Sequence, residues 1–375
     1  MSDLWPLRPR VDFLNHGSFG SCPRPVRAAQ DRWRERMEAR PIDFLDGELS
    51  GRLRAAASRL AAFLGASGRD LVFVDNATAG ANAVLRSFPW RAGDEVVLAD
   101  HAYPAVMNAA RHLASGAGAK VRLARVPFAP QSPAEVTAAF EAALTPRTRL
   151  AVVDHVTSPT GLIFPVKEIV RLSRRRGIKV LVDGAHAPGM LDLDIPALGA
   201  DWYTGNLHKW LCAPKGSAFL WASKAGQRGL HPAVISNNYG KGFLEEFDWC
   251  GTKDPSPWLS VTAALDFHKR LGGAKLRRRN RALALAMGTR LARAWGAELA
   301  PASMLGSMAA LALPLKGRAS LAAAERLHDA LRRRGVEVPV FFRLGRLFLR
   351  ISAAAYNRPG DYDRLERLVP GLLRG

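Results

Sequence analysis

The sequence predicts an α/β protein: a mainly parallel β-sheet covered on both faces by helices, followed by a smaller α+β region. Three observations carry this. Short runs of Val, Leu and Ala recur from residue 70 onward, as in "LVFV", "VVLA", "LAVV" and "VLV", and strands apolar on both faces belong to sheets buried on both faces. Between these runs, apolar residues repeat at helical spacing. After about residue 255 the alternation gives way to long helical stretches and a late pair of strand-like runs.

Taken in order, helical periodicity runs through 24–40 and 48–65, the second stopping at Gly65. "DLVFVDN" (70–76) then reads as a buried strand and "ATAGANAVLRSF" as a helix. "DEVVLAD" (94–100) and "PAVMNAARHLA" repeat that strand–helix unit. The strands "KVRLARV", "RLAVVDHV" and "KVLVDGA" follow, separated by the helices "PAEVTAAFEAAL" and "VKEIVRLSRRRG". Beyond 255, "PSPWLSVTAALDFHKRL" is helical, with prolines where a first turn tolerates them. "RRNRALALAMGTRLARAWG" is a second long helix. "MAALALPL" is a strand, "SLAAAERLHDALRRRG" a helix, "VEVPVFFRLGRLFLRIS" a strand pair and "DYDRLERLVPGLL" a last helix.

A chain of 375 residues, 48% hydrophobic and 23% charged, suits a soluble globular protein of roughly two domains. No apolar run approaches the ~18 residues of a membrane span, so no membrane partner is expected. "MSDLWPLRPRVDFLNHG" has no basic segment followed by an apolar one, so the expected compartment is the cytoplasm. Cys22, Cys212 and Cys250 lack CxxC spacing, which argues against a zinc site or a disulfide framework. The net charge of +21 invites a nucleic-acid reading. However, the basic runs at 171–177, 276–281 and 331–335 fall on predicted helices or their ends, and no aromatic-interleaved basic stripe accompanies them. A basic nucleic-acid-binding protein is therefore the weaker reading, and no specific nucleic-acid partner is expected.

In open α/β sheets, ligands bind beyond the carboxyl ends of the strands. The segments that follow the strands are "NATAG" (76–80), "DHAY" (100–103), "TSPTG" (157–161), "DGAHAPG" (183–189) and "NLHKW" (206–210). Asp183 at the end of an apolar strand and Lys209 in an apolar loop are each costly to bury alone. A salt bridge between them is one answer. The other is a cofactor lying between them: pyridoxal phosphate (PLP) takes a lysine amine, a carboxylate for its ring nitrogen and a helix N-terminus for its phosphate.

The segments "FLNHGSFGSCP", "DNATAGAN", "DHAYPAV", "VDGAHAPG", "ADWYTGNLHKWLCAPKG", "WCGTKDPSP" and "LRISAAAYNRPGD" span nearly the whole chain. In that order they resemble the fold-type I PLP enzymes of the class V aminotransferase superfamily, most of all the isopenicillin N epimerase-like branch. The resemblance implies a seven-stranded-type sheet in a large PLP-binding domain (23–255), an N-terminal segment (1–22) lining the active-site mouth and a small α+β domain (256–375). It also implies roles. Lys209 matches the Schiff-base lysine and Asp183 the acid that pairs with the ring nitrogen. His186 matches the position that bonds the ring hydroxyl oxygen, with a core histidine as its plain alternative. Ala77 and Thr78 match the phosphate cup, and Asn206 and His208 match side chains reaching the phosphate. His101 or Tyr103 stacks on the cofactor and serves the face Lys209 cannot reach. Thr252 matches a residue that reaches the neighbouring subunit's phosphate, which requires a homodimer; a helix N-cap is its rival role. Arg350 matches the binder of the substrate α-carboxylate, and Asn15 and His16 match a segment lining the substrate mouth.

The implied chemistry is labilisation of the Cα–H bond of an amino acid bound as an external aldimine. Cofactor residues do not choose the outcome. Residues 331–350 hold no cysteine, which disfavours the persulfide chemistry of related desulfurases. The expectation is an epimerase, with a C–S β-lyase like the hercynylcysteine sulfoxide lyase or an aminotransferase as alternatives.

Overall fold

The computed structural model describes residues 2–315 and 319–373. Its centre is a seven-stranded sheet of β1 (Leu71–Val74), β2 (Glu95–Ala99), β3 (Lys120–Ala124), β4 (Thr148–Asp154), β5 (Lys179–Asp183), β6 (Trp202–Asn206) and β7 (Ala218–Ala222). The strand order is β1-β7-β6-β5-β4-β2-β3. All neighbours are parallel except β7, which is antiparallel to both β6 and β1. The five-residue run "AFLWA" of β7 went unassigned in the sequence, because a run that short has no period to separate strand from buried helix.

The central strands are Val- and Leu-rich and buried except at Arg149 and Lys179 near their starts, and a hydrophobic cluster covers each face. Their helices follow the expected stripe. Helix Val166–Arg175 buries Val166, Ile169, Val170 and Leu172 and ends on Arg174 and Arg175, where cations complement the helix dipole. The basic run 276–281 behaves differently, since it lies in the first turns of helix Ala274–Trp295, where the dipole disfavours it. Tertiary acceptors hold it instead: Arg277 donates to Asp192, Arg279 to the carbonyls of Ala354 and Asn357, and Arg281 to those of Leu305 and Ala302.

A second, antiparallel sheet contains β8 (Glu298–Leu299), β9 (Met308–Ala312), β10 (Val340–Arg343) and β11 (Arg346–Ser352), ordered β10-β11-β9-β8. The β10–β11 hairpin turns at Leu344 and Gly345, whose φ values of 50° and 73° are those a two-residue primed turn requires. The chain start is tied to this end of the molecule, with Asp12–Phe13 pairing in parallel with Val336–Glu337. The helices Ser256–Leu259 and Val261–Arg270 pack on helices Arg24–Ala39 and Leu49–Phe63, so this helical block sits with the first helices of the chain. No helix among the described residues is long and apolar enough to cross a membrane.

Candidate active site

Strand β7 reverses direction between β1 and β6, so β1, β4, β5 and β6 all present their carboxyl ends to one rim. A cavity of about 460 Å³ opens there. Its lining includes Asn76, Ala77 and Thr78 after β1, Tyr103 after β2, Asp154 and Ser158 at and after β4, Asp183 and His186 at and after β5, and Asn206, His208 and Lys209 at and after β6.

Lys209 is 8% exposed and sits on a closed loop: Cys212 N–H donates to the Lys209 carbonyl (3.0 Å) and Ala213 N–H to that of Leu207 (3.1 Å). The loop also packs against Gly20, where any Cβ would overlap the His208 carbonyl, and Gly20 has φ +67°. Burial, with the Arg350 charge adding to it, brings the Lys209 amine down to about 7. Its Nζ lies 3.0 Å from His186 Nε2, while the Trp210 indole N–H donates to His186 Nδ1 at 3.4 Å. Burial and the Lys209 charge keep the His186 ring well below its ordinary range. A neutral ring that accepts from Trp210 at Nδ1 carries its proton on Nε2, facing the Lys209 amine. Asp183 is 4% exposed and accepts from Ala185 N–H at 3.0 Å. Burial raises its carboxyl, against the opposing pull of that bond and of Lys209.

At the expected phosphate cup, helix Ala77–Ser87 begins under an Asn76 side-chain cap on Ala79 N–H. Asn206 Oδ1 takes the Ala77 N–H at 2.9 Å, so Asn206 pins the helix start, and the Ala77 amide is already engaged. The N–H and hydroxyl of Thr78 take no partner among the described residues. His208 donates from Nδ1 to the Ser217 carbonyl (3.1 Å), and burial brings its ring down to about 4.

Several expected site residues do not reach the cavity. His101 is fully buried: its Nε2 bonds the Val126 carbonyl (2.9 Å) and its Nδ1 the Thr160 hydroxyl (2.7 Å), which itself bonds Thr157. With both ring nitrogens held by the protein, His101 anchors the "TSPTG" loop, and Tyr103, 42% exposed, takes the cavity wall. Asn15 accepts from Ser18 Oγ at 2.5 Å, and His16 bonds Tyr356 and the Lys209 carbonyl, so both lie behind the mouth. The neighbouring Ser18 and Phe19 line it instead. Arg350, 3% exposed, backs the wall: it donates to the Ser158 carbonyl and to Ser18 Oγ (3.2 Å), while its Nε has no partner among the described residues. Thr252 is exposed, outside this cavity, and caps no helix, since Pro255 holds the N-cap of Ser256–Leu259. Its neighbour Lys253 bonds Asp75 at the cavity rim (2.6 Å) and lies 3.8 Å over the Trp258 ring.

The sequence reading missed Asp154, Ser158, Ser18 and Phe19. The signal for Asp154 was present, because "VVD" at 152–154 echoes "LVD" at 181–183 at the end of the adjacent strand. The three cysteines are removed from the chemistry: Cys22 and Cys212 are buried, burial raises both thiols, Cys22 to about 11, and none of the three lines the cavity.

The chain is 38% identical over 389 residues to isopenicillin N epimerase of Amycolatopsis lactamdurans, covering 98% of this chain and 96% of that protein. It is 36% identical over 392 residues to a probable chloroplastic L-cysteine desulfhydrase of Arabidopsis thaliana, covering 96% of this chain and 82% of that one. Among solved structures, the cystine C–S lyase C-DES in complex with cysteine persulfide aligns with a TM-score of 0.82 at 21% identity, covering 96% of this chain and 97% of that one. A variant of the same lyase, with glycine covalently linked to its PLP cofactor, aligns at 0.80 and 20%, covering 97% of each chain. These two share the fold. The aminotransferase class-V family model matches residues 35–365. With that match across most of its length, the chain belongs to the aminotransferase class-V family.

Proposed function

We propose that the chain binds PLP between Lys209 and Asp183, labilises the Cα–H bond of an amino acid, and acts as a C–S β-lyase on a cysteine-like substrate. The residues present fit the group. A buried amine, a buried carboxylate with a backbone donor and an unpartnered Thr78 at a helix start line one cavity, and an arginine with an orphaned nitrogen backs its wall. The bound cofactor supplies an electron sink for the pair left when the Cα proton is removed. Lys209 Nζ, uncharged for much of the neutral range, accepts that proton. Arg350 holds the substrate α-carboxylate by turning its guanidinium from Ser158 and Ser18. Thr78 and the helix start hold the phosphate.

The placement of His101 carries the choice of reaction. Expelling a β-substituent needs one base, which Lys209 provides. Epimerisation needs a second acid–base group on the other face, and His101, one of its two candidates, is sealed inside the protein. The second reading is an epimerase in which Tyr103, on the cavity wall, fills that role. Transamination is the third. The relatives named a cysteine desulfhydrase and an epimerase support the first two about equally. We also propose a homodimer in which Thr252 reaches the neighbouring site. Exposed Val234, Ile235 and Tyr239, on the loop beside that segment, offer apolar surface for it.

The test incubates the protein with cysteine in D₂O. Sulfide and pyruvate in equal amounts support the lyase; deuterium entering Cα with the side chain intact supports the epimerase. A purified protein that takes up no PLP, and so shows no visible band for borohydride to erase, overturns the whole proposal.

A further inference from the structure

The cavity floor holds two acids and one nearby amine. Asp154 ends β4 as Asp183 ends β5, and they are register partners on parallel neighbours. Both line the cavity and both are buried, at 3% and 4% exposure. Lys209 acts on Asp183 and Arg343 on Asp154, and neither acid is in an ion pair among the described residues. The Asp154 carboxyl faces two backbone N–H groups, its own and that of Tyr103. The groups around it are Asp183 from β5, Arg343 from β10 and, directly after β4, His155, whose ring burial brings down to about 4. Arg343 spends its Nη2 on the carbonyls of Asp100 and Ala102. Two adjacent buried carboxyls, neither held in an ion pair, are cheapest with one ionised and one neutral.

We propose that Asp154 is kept as a neutral carboxylic acid at neutral pH, a positioning residue that leaves Asp183 the single anion on the cavity floor. Only the consequence of this, an uncontested partner for a cofactor's ring nitrogen, rests on the PLP reading. Burial and the Asp183 charge agree with the geometry, holding the Asp154 carboxyl well above the usual carboxylate range. The sign of the linkage follows: a carboxyl raised in the folded state contributes stability below its unfolded value, and loses it as pH climbs toward the folded one. Asp154→Asn, which keeps shape and polarity, removes that loss.

The experiment is infrared spectroscopy of the full-length protein at pH 8, with urea unfolding from pH 4 to pH 8. The expected result is a protonated-carboxyl C=O band in the wild type that Asp154→Asn lacks. The variant's stability advantage should widen from pH 4 toward pH 8. No such band in the wild type at pH 8 overturns the proposal, as does a variant less stable at every pH. If the variant fails to fold, the wild-type band and its titration decide alone. Neither readout needs cofactor, so a protein that binds no PLP sinks the functional reading and leaves the Asp154 result standing.

Discussion

Lys209 shows how much one side chain reveals through its sequence neighbours alone. A cation flanked by His208 and Trp210 in an apolar loop needs a reason to be buried, and Asp183 supplied the second half of that reason. Asp154 was harder to find, because a lone acid at a strand end becomes informative only once its neighbour across the sheet is known. His101 and Tyr103 stay alternatives in the sequence for a related reason: it shows that a histidine follows a strand, but not which way the ring turns. The amine brought down to about 7 yields a prediction with a definite sign. Cofactor capture by the cofactor-free protein should accelerate as pH rises through about 7, because the neutral amine is the nucleophile. A lysine lowered in the folded state costs stability that is regained as pH rises from its folded toward its unfolded value. Lys209→Met should therefore raise the urea midpoint of the cofactor-free protein near pH 7 while abolishing the visible band. Arg350→Lys loses the planar fork and should cost about 10–100-fold in kcat/KM, chiefly through KM, in steady-state assays.

Among the elements, the helix Ala77–Ser87 carries the most site chemistry for its length. Its start is held twice, by the Asn76 cap and by Asn206 from β6, and its underside is held close to the sheet at Gly80. A Cβ there would overlap Thr204 Oγ1 on β6. Gly80→Ala should cost about 1–3 kcal/mol of stability, seen as a lowered urea midpoint, and should weaken PLP binding by tilting the helix start. The alternating strands and helices of this half could be read directly, because Val-rich runs and amphipathic stripes record burial on both faces of a sheet. The hairpin of β10 and β11 could be read as two apolar runs close in sequence, although β10 itself is only half-buried. The basic run at 276–281 could not, since its carbonyl acceptors at Ala302, Leu305, Ala354 and Asn357 come from distant parts of the chain.

For the whole molecule, the charge of +21 is dispersed over arginines engaged locally, as at Arg174 and Arg175, or with distant acceptors, as at Arg277. Association with DNA or heparin should be weak, without sequence preference, and lost steeply between low and moderate salt in fluorescence anisotropy. Size-exclusion chromatography should show a dimer. Thr252→Val should weaken PLP binding without altering that dimer, and unchanged affinity would place the threonine away from the neighbouring phosphate.

The antiparallel β7 has a temporal consequence as well as a geometric one. β1 lies at the edge of the sheet, and among the described residues its one sheet neighbour is β7, so Leu71–Val74 stays unpaired until Ala218–Trp221 arrives. Such distant pairings are slow, because the intervening loop must close before any contact rewards it. As the ribosome releases the chain, the Thr78 end of the site therefore waits for a strand that emerges after the lysine loop itself. The Thr78 end of the cavity is thus among the last parts of the large sheet to be completed, and on the proposed function uptake of PLP would report that the whole sheet has closed.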